Sequence, residues 1–313
     1  STNSSIGLIY ALKKIFIRKF DIKTLKKNLK IKTKKNFVSF DLDFCKKKFP
    51  NLELGRKNHS NLKKKIELSL EKVDLKINKV FSFKEFGKIT FPYYSMGKDN
   101  SFNLFNANEF VVFYIYLKNK KIYKNVADMG ASLGLHSIIL ARCGFNVTSF
   151  EPDPIIFSKL RANIKLNKIK NIKLVNKAVY TKEGTVRFTR VIDNMFSSHI
   201  SGEKTSYGKK KKITVKTVKV SKLIEKFDLI KIDIEGSESK VIRSISRKNF
   251  FSTDILVEIG TKKNAKEIFD FLQKNKIKSY SQKNNFKLIS SLKEMPASHK
   301  EGLLLISQNI KKL

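Results

Sequence analysis

From residue 123 onward the chain repeats one pattern: a short apolar run, a turn, then an apolar stripe at helical spacing. Strands are expected at 123–129, 147–150, 172–175, 227–234 and 255–259, with a closing strand at 302–307. Helices are expected between them at 134–143, 154–166, 237–245 and 265–274. A strand buried on both faces reads as a continuous apolar run, and strands that alternate with helices need crossover connections. The pattern therefore predicts an α/β fold around a parallel sheet. Right-handed crossovers bring the carboxyl ends of such strands to one edge, where ligands of open α/β sheets bind. Residues 184–190 and 213–220 break the rhythm and alternate apolar with polar side chains, as a β-ribbon does. The polar stretch 197–212 between them is long enough to be a functional lid or an insert.

Upstream the pattern weakens. Residues 108–117 read as a helix leading into the first core strand, and 80–83 and 88–91 as strands followed by turn residues at 96–100. Residues 6–20 set Ile6, Leu8, Ile9, Leu12, Ile15 and Phe16 against Lys13, Lys14, Arg18 and Lys19. Such a basic amphipathic helix either packs on its own domain or lies on an anionic membrane surface. Lysine clusters and Pro50 interrupt the apolar pattern over 24–65. The expected division is a small, basic, partly helical accessory region at 1–78 and a catalytic domain at 79–313.

Composition changes this picture in one respect. The 313 residues are 41% hydrophobic, ample for a buried core, but carry a formal charge of +39. A chain this basic is attracted to phosphate-rich polymers. Two features argue against nucleic acid as the partner, without excluding it. Lysine outnumbers arginine 58 to 8, whereas base readout leans on the bidentate guanidinium. The abundance of Lys, Asn, Ile and Phe also follows from AT-rich codons. Cys45 and Cys143 have neither disulfide-framework nor metal-ligand spacing, so a reducing cytoplasm is expected. No charged secretory start is present, and no apolar run reaches the roughly 18 residues of a membrane span.

The candidate chemistry begins at Asp128-Met129-Gly130-Ala131-Ser132-Leu133-Gly134, at the junction of the first strand and helix. Gly130 removes a Cβ where a bound molecule must approach the backbone, and Gly134 permits close packing at the helix start. Asp128 is placed to neutralise an ammonium group. The G-x-x-x-G spacing with an acid in front suits a cationic amino-acid moiety better than the diphosphate of a G-x-G-x-x-G loop. The second strand ends in Glu151-Pro152-Asp153. A carboxylate there holds a ribose diol, or else is a first-turn helix acid favoured by the dipole. Asn176-Lys177-Ala178-Val179, after the third strand, is placed to line an adenine.

These segments, together with Leu229-Ile230-Lys231-Ile232-Asp233-Ile234-Glu235-Gly236, resemble the FkbM family of methyltransferases, in order, over residues 105–260. Ser132 stands where Asn is common in that family, and the first 75 residues match nothing nameable. The resemblance implies a Rossmann-like class I methyltransferase with a doubly wound, mostly parallel seven-stranded sheet. It also implies S-adenosyl-L-methionine as donor, and O-methylation of sugar hydroxyls in glycans or glycoconjugates. Cofactor contacts are then expected from Asp128, Gly130, Ala131, Ser132, Gly134, Leu135, His136, Glu151, Pro152, Asn176, Ala178 and Asp233, with His136 alternatively a packed, hydrogen-bonded residue. Asp233 is assigned to the cofactor–substrate junction, Glu235 to substrate binding or acid–base work, and His199 to the general base. Glu258 stands at the end of the fifth strand, where it pairs with Asp233. No third metal ligand is legible, and no metal site is assigned. Two alternatives stay open. One is an RNA ribose methyltransferase built on Lys231, Asp233 and Glu258. The other is an inactive methyltransferase fold serving as a binding module, with peripheral contact to an anionic membrane.

Overall fold

The computed structural model describes residues 37–53, 55–70 and 79–308. The expected amphipathic helix at 6–20 lies outside the described residues. Near the start, β1 (Phe37–Phe40) is followed by two helices, α1 (Asp43–Lys48) and α2 (Lys57–Leu70), and then by the hairpin β2 (Lys79–Phe83) and β3 (Gly87–Phe91). Strand β1 pairs parallel with β2, so a three-stranded sheet crosses the boundary expected between residues 78 and 79. The physical reason is phenylalanine. Period-two burial in β2 points Phe81 and Phe83 inward, where they meet Phe40 of β1, Phe105, and Phe110 of α3 (Ala107–Lys118). Phe81 and Phe105 stack with ring centroids 3.7 Å apart. This aromatic cluster is continuous with the core under the large sheet, so residues 37–70 and the rest of the described chain share apolar packing.

The large sheet is built from β4 (Asn125–Met129), α4 (Leu135–Arg142), β5 (Asn146–Phe150), α5 (Pro154–Leu166) and β6 (Ile172–Val175). A second, four-stranded sheet interrupts it: β7 (Ala178–Tyr180), β8 (Gly184–Val191), β9 (His199–Ile200) and β10 (Lys210–Lys219), with β8 and β10 forming the expected antiparallel ribbon. The chain then returns through β11 (Leu229–Ile232), α6 (Glu238–Arg243), β12 (Asp254–Glu258), α7 (Lys262–Lys274), β13 (Ser279–Ser281), β14 (Lys287–Leu288) and β15 (Leu303–Ile306). The order across the sheet is β14-β13-β15-β12-β11-β4-β5-β6. Strands β6, β5, β4, β11 and β12 are parallel, and β15 runs antiparallel to β12. This is the doubly wound sheet, with seven main strands and the two-residue β14 added at its edge. The apolar runs Leu229–Ile232 and Leu303–Ile306 are buried throughout, as strands covered on both faces require.

Two local devices set the angle of α5, which flanks the cofactor-side edge. Asp153 caps the helix by accepting from the Ile155 N–H at 2.8 Å, with Pro154 at the first helical position. The same carboxylate takes a fork from Arg190 of β8, Nε to Oδ2 at 2.5 Å and Nη2 to Oδ1 at 2.7 Å, and both side chains are buried. The pair ties the ribbon sheet to the large sheet. Arg190→Met removes one partner and leaves Asp153 charged and buried, so it is expected to cost about 3–5 kcal/mol in denaturant unfolding. A loss below about 1 kcal/mol would show that the pair is solvated in solution.

Candidate active site

Chain direction from the centre of the sheet sets the position of the site. From β4 the chain moves outward to β5 and β6, and β11 and β12 fill the opposite side, so the order reverses between β4 and β11. A crevice opens at their carboxyl ends. Gly130 turns there with φ +86°, and a Cβ at that position would sit 1.8 Å from the Asp233 carbonyl oxygen. Only glycine lets the two strand ends lie this close. Ser132 takes φ +48°, in the left-handed region that few residues other than glycine and Asn adopt readily.

The cavity in this crevice is lined by nine of the twelve residues expected to contact a cofactor: Gly130, Ala131, Ser132, Leu135, His136, Glu151, Pro152, Ala178 and Asp233. Three expected contacts are placed elsewhere. Asp128 is fully buried beneath the loop, where its Oδ2 accepts from the Ser137 hydroxyl at 2.6 Å. Gly134 faces α5, and a Cβ there would be 2.4 Å from Leu160 Cδ1, so its role is helix packing. Asn176 donates to the carbonyls of Glu151, at 2.8 Å, and Pro152, at 3.1 Å. It braces the Glu151 loop, and Lys177, Ala178 and Val179 form the wall in its place.

Glu151 is gripped from both sides. Its Oε2 accepts from the Ser132 N–H at 3.0 Å and its Oε1 from the Asp153 N–H at 2.9 Å. Burial pushes the carboxyl up to about 8, against those two donors. Each carboxylate oxygen has room for a second donor, and Glu151 lines the cavity, so the pair suits a vicinal diol. His136 lines the cavity and is also held on both ring nitrogens: Nε2 lies 2.7 Å from Glu109 Oε2 and Nδ1 3.0 Å from the Tyr116 hydroxyl. The packed reading of His136 and its place in the cavity wall therefore both hold.

At the other end the cavity turns acidic. Glu109, Asp233, Glu235 and Glu258 all line it. Lys231, buried on β11, lies 3.2 Å from Asp233 Oδ2 and 3.8 Å from Asp128 Oδ1. Burial raises the Asp233 carboxyl, but the Lys231 ammonium outweighs it and keeps Asp233 ionised. Glu235 stands in a left-handed conformation at φ +55° and is bonded by Lys204. Burial, then the Asp233 charge, push its carboxyl up to about 7. Lys204 comes from the polar stretch 197–212, which holds β9 and the start of β10 and is a free loop only over 201–209.

His199 is not at this site. It lies on β9 between Ser198 and Ile200, and those two neighbours face the cavity. Period-two alternation turns the imidazole to the other side, where it is buried with Nδ1 2.8 Å from the Ser197 carbonyl oxygen. Burial lowers its pKa. A second histidine meets the acidic end beside His136: His299, from the loop before β15, packs on Glu258 and Glu235 from outside the cavity lining. Its Nδ1 lies 2.8 Å from Glu258 Oε1 and its Nε2 4.0 Å from Glu235 Oε2. Sequence reading missed it because a loop more than 40 residues from its partner has no periodicity to follow. Glu109 was missed for the same reason, being one acid on an otherwise apolar helix. Among the described residues no group of three or more His, Cys, Asp or Glu side chains is placed to hold a metal ion.

The family model described as the methyltransferase FkbM domain matches residues 128–287. Solved structures similar to the chain include a precorrin-6y C5,15-methyltransferase from Geobacter metallireducens GS-15, 13% identical, covering 63% of this chain and 88% of that one with a TM-score of 0.36. A ribosomal protein L11 methylase from Lactobacillus delbrueckii subsp. bulgaricus is 12% identical over 64% and 79% of the two chains, TM-score 0.35. An O-methyltransferase from Bacillus cereus in complex with SAH is 11% identical over 63% and 80%, TM-score 0.35. Comparison with curated proteins gives no match. The structural scores are low, so the assignment rests on the strand order, the crevice and the family match. The match covers half the chain and contains the glycine turn, the Glu151 grip and the Asp233 strand end: the chain belongs to the FkbM family of methyltransferases, with S-adenosylmethionine as methyl donor.

Proposed function

We propose that the chain is an O-methyltransferase and that the hydroxyl it methylates belongs to a sugar of a glycan or glycoconjugate. The observation that carries this is the acidic end of the cavity, where Asp233, Glu235 and Glu258 line one wall. Sugar hydroxyls are hydrogen-bond donors that carboxylates satisfy in pairs, whereas the same wall repels phosphate. A net charge of +39 with carboxylates gathered at the reaction end argues for a polyol acceptor over RNA. The intact grip on Glu151 likewise favours an enzyme over an inactive scaffold.

S-adenosylmethionine supplies a methyl group made electrophilic by the sulfonium. The chain's own residues divide the remaining tasks. Glu151 takes the ribose diol on its carboxylate oxygens. Pro152, Ile156 and Lys177 to Val179 form the adenine wall. Asp233, fixed by Lys231, sits beside the glycine turn at the junction of donor and acceptor, and its ionised carboxylate orients the acceptor by accepting from a hydroxyl next to the one that is methylated. Glu235, steadied by Lys204, binds a neighbouring hydroxyl. Leu104, Met195, Phe196 and Phe188 supply apolar lining that limits water at the reacting atoms.

Glu151→Ala is expected to weaken S-adenosylmethionine binding about 10–100-fold by calorimetry, the value of two hydrogen bonds. Unchanged affinity would remove Glu151 from the cofactor site. Because His199 faces away, His199→Gln is expected to keep turnover near that of the parent protein. A hundred-fold drop in a correctly folded variant would contradict the strand register drawn here. Methylation of simple glycosides, with no transfer to RNA under low salt, is the expected substrate pattern, and the reverse pattern would favour the RNA reading.

A further inference from the structure

We propose that His299 is the general base that removes the acceptor hydroxyl's proton, with Glu258 as the residue that orients it. This rests on the reading of the chain as an O-methyltransferase. Three independent features point to this imidazole. First, its Nδ1–H donates to Glu258 Oε1 at 2.8 Å, which leaves Nε2 as the acceptor nitrogen, directed toward the Glu235 side of the cavity mouth. A carboxylate behind one ring nitrogen fixes the tautomer and frees the other for proton transfer. Second, His299 is the accessible one among the chain's four histidines. His59, His136 and His199 are buried, whereas the His299 side chain is 45% exposed.

Third, Gly260 is shaped around the ring. A Cβ on Gly260 would lie 2.7 Å from His299 Cε1 and Nε2, yet its backbone is not in the left-handed region. The imidazole packs directly over the Gly260 backbone. The ring also stands where two surface grooves converge. One is lined by α2 and the 100–108 segment, including Asn103 and Asn106, and the other by the 202–208 loop, Lys240 and Asn264. His299 lines both grooves.

In the step assigned here the acceptor oxygen's electron pair forms the new O–CH₃ bond. The methyl–sulfur bond breaks with its pair left on sulfur, and the hydroxyl proton goes to Nε2 of His299. The charged groups facing the ring are Glu258 from β12, Glu235 and Asp233 from the end of β11, Lys204 from the β9–β10 loop, and Lys300 beside it, with Lys63 and Glu67 of α2 lining the same groove. The Glu258 hydrogen bond raises its pKa to about 9, against burial and Lys204. The raised value means His299 is protonated at neutral pH. The reactive neutral form grows about ten-fold per pH unit until the pH reaches that value.

The test uses the full chain with S-adenosylmethionine and the methyl glycosides of glucose, galactose, mannose and rhamnose as acceptor probes. In histidine-labelled protein, with the His299 signal assigned by its loss in His299→Gln, the ring is expected to titrate near 9. In Glu258→Gln it is expected to fall toward the ordinary value of about 6.5. On any glycoside that the parent methylates, His299→Gln is expected to lower kcat about 100-fold or more and to abolish the rising limb of the pH profile. Calorimetric affinity for S-adenosylmethionine should stay within about two-fold, because His299 meets Glu258 and Glu235 and none of the residues of the glycine turn or the Glu151 grip. Retained kcat in His299→Gln, or an ordinary titration indifferent to Glu258→Gln, overturns the assignment. If the parent methylates none of the glycosides, the sugar reading fails by itself, and the titration then decides the His299–Glu258 pair.

Discussion

One buried ammonium holds the centre of this protein together. Lys231 projects from β11 between Asp128, at the end of β4, and Asp233, at its own strand's end. Burial works against its charge, and the two carboxylates more than restore it, so the ion stays protonated. Without it, two carboxylates at adjacent strand ends would face each other in a desolvated crevice, at a cost of several kcal/mol. With it, the strands that flank the switch point lie close enough for Gly130 to pack directly on the Asp233 carbonyl. The cofactor turn and the reaction end are therefore parts of one electrostatic assembly.

Around that centre, the site is supported first by the large sheet, then by the ribbon sheet and then by loops. The glycine turn, the Glu151 grip and the Asn176 brace are backbone-anchored hydrogen bonds within the large sheet. The ribbon sheet closes the side of the cavity through Arg190 and Asp153. The reaction end is completed by side chains from loops: Lys204 after β9, and His299 before β15. The glycine turn and Glu151 thus belong to the large sheet, whereas Lys204 and His299 stand on loops.

The charge distribution separates two properties that composition merges. Among the described residues most lysines lie on the surface, where they make the chain basic without defining a partner. In the crevice the balance is reversed, and the two described lysines that reach the acidic end, Lys204 and Lys231, are committed to carboxylates. Local arrangement, not net charge, sets what the site attracts.

The sequence by itself determined the parallel sheet, the ribbon at β8 and β10, the glycine turn and Glu151, because each is a local matter. Apolar runs, period-two alternation and a glycine beside a strand end are written in consecutive residues. It did not reveal β13, whose Ser279-Tyr280-Ser281 run is too short and polar to read as a strand until β15 pairs with it. It drew a domain boundary at residue 78 where phenylalanines from both sides form one cluster. It placed Asp128, Gly134 and Asn176 against the cofactor when they support the loops that do touch the cavity, and it placed His199 at the reaction end, from which β9 turns it away. In each case the deciding fact was the direction a side chain faces, or which distant strand it meets. Those are properties of the packed sheet: one residue of alternation turns His199 away, and only the pairing of β12 with β15 brings His299 to Glu258.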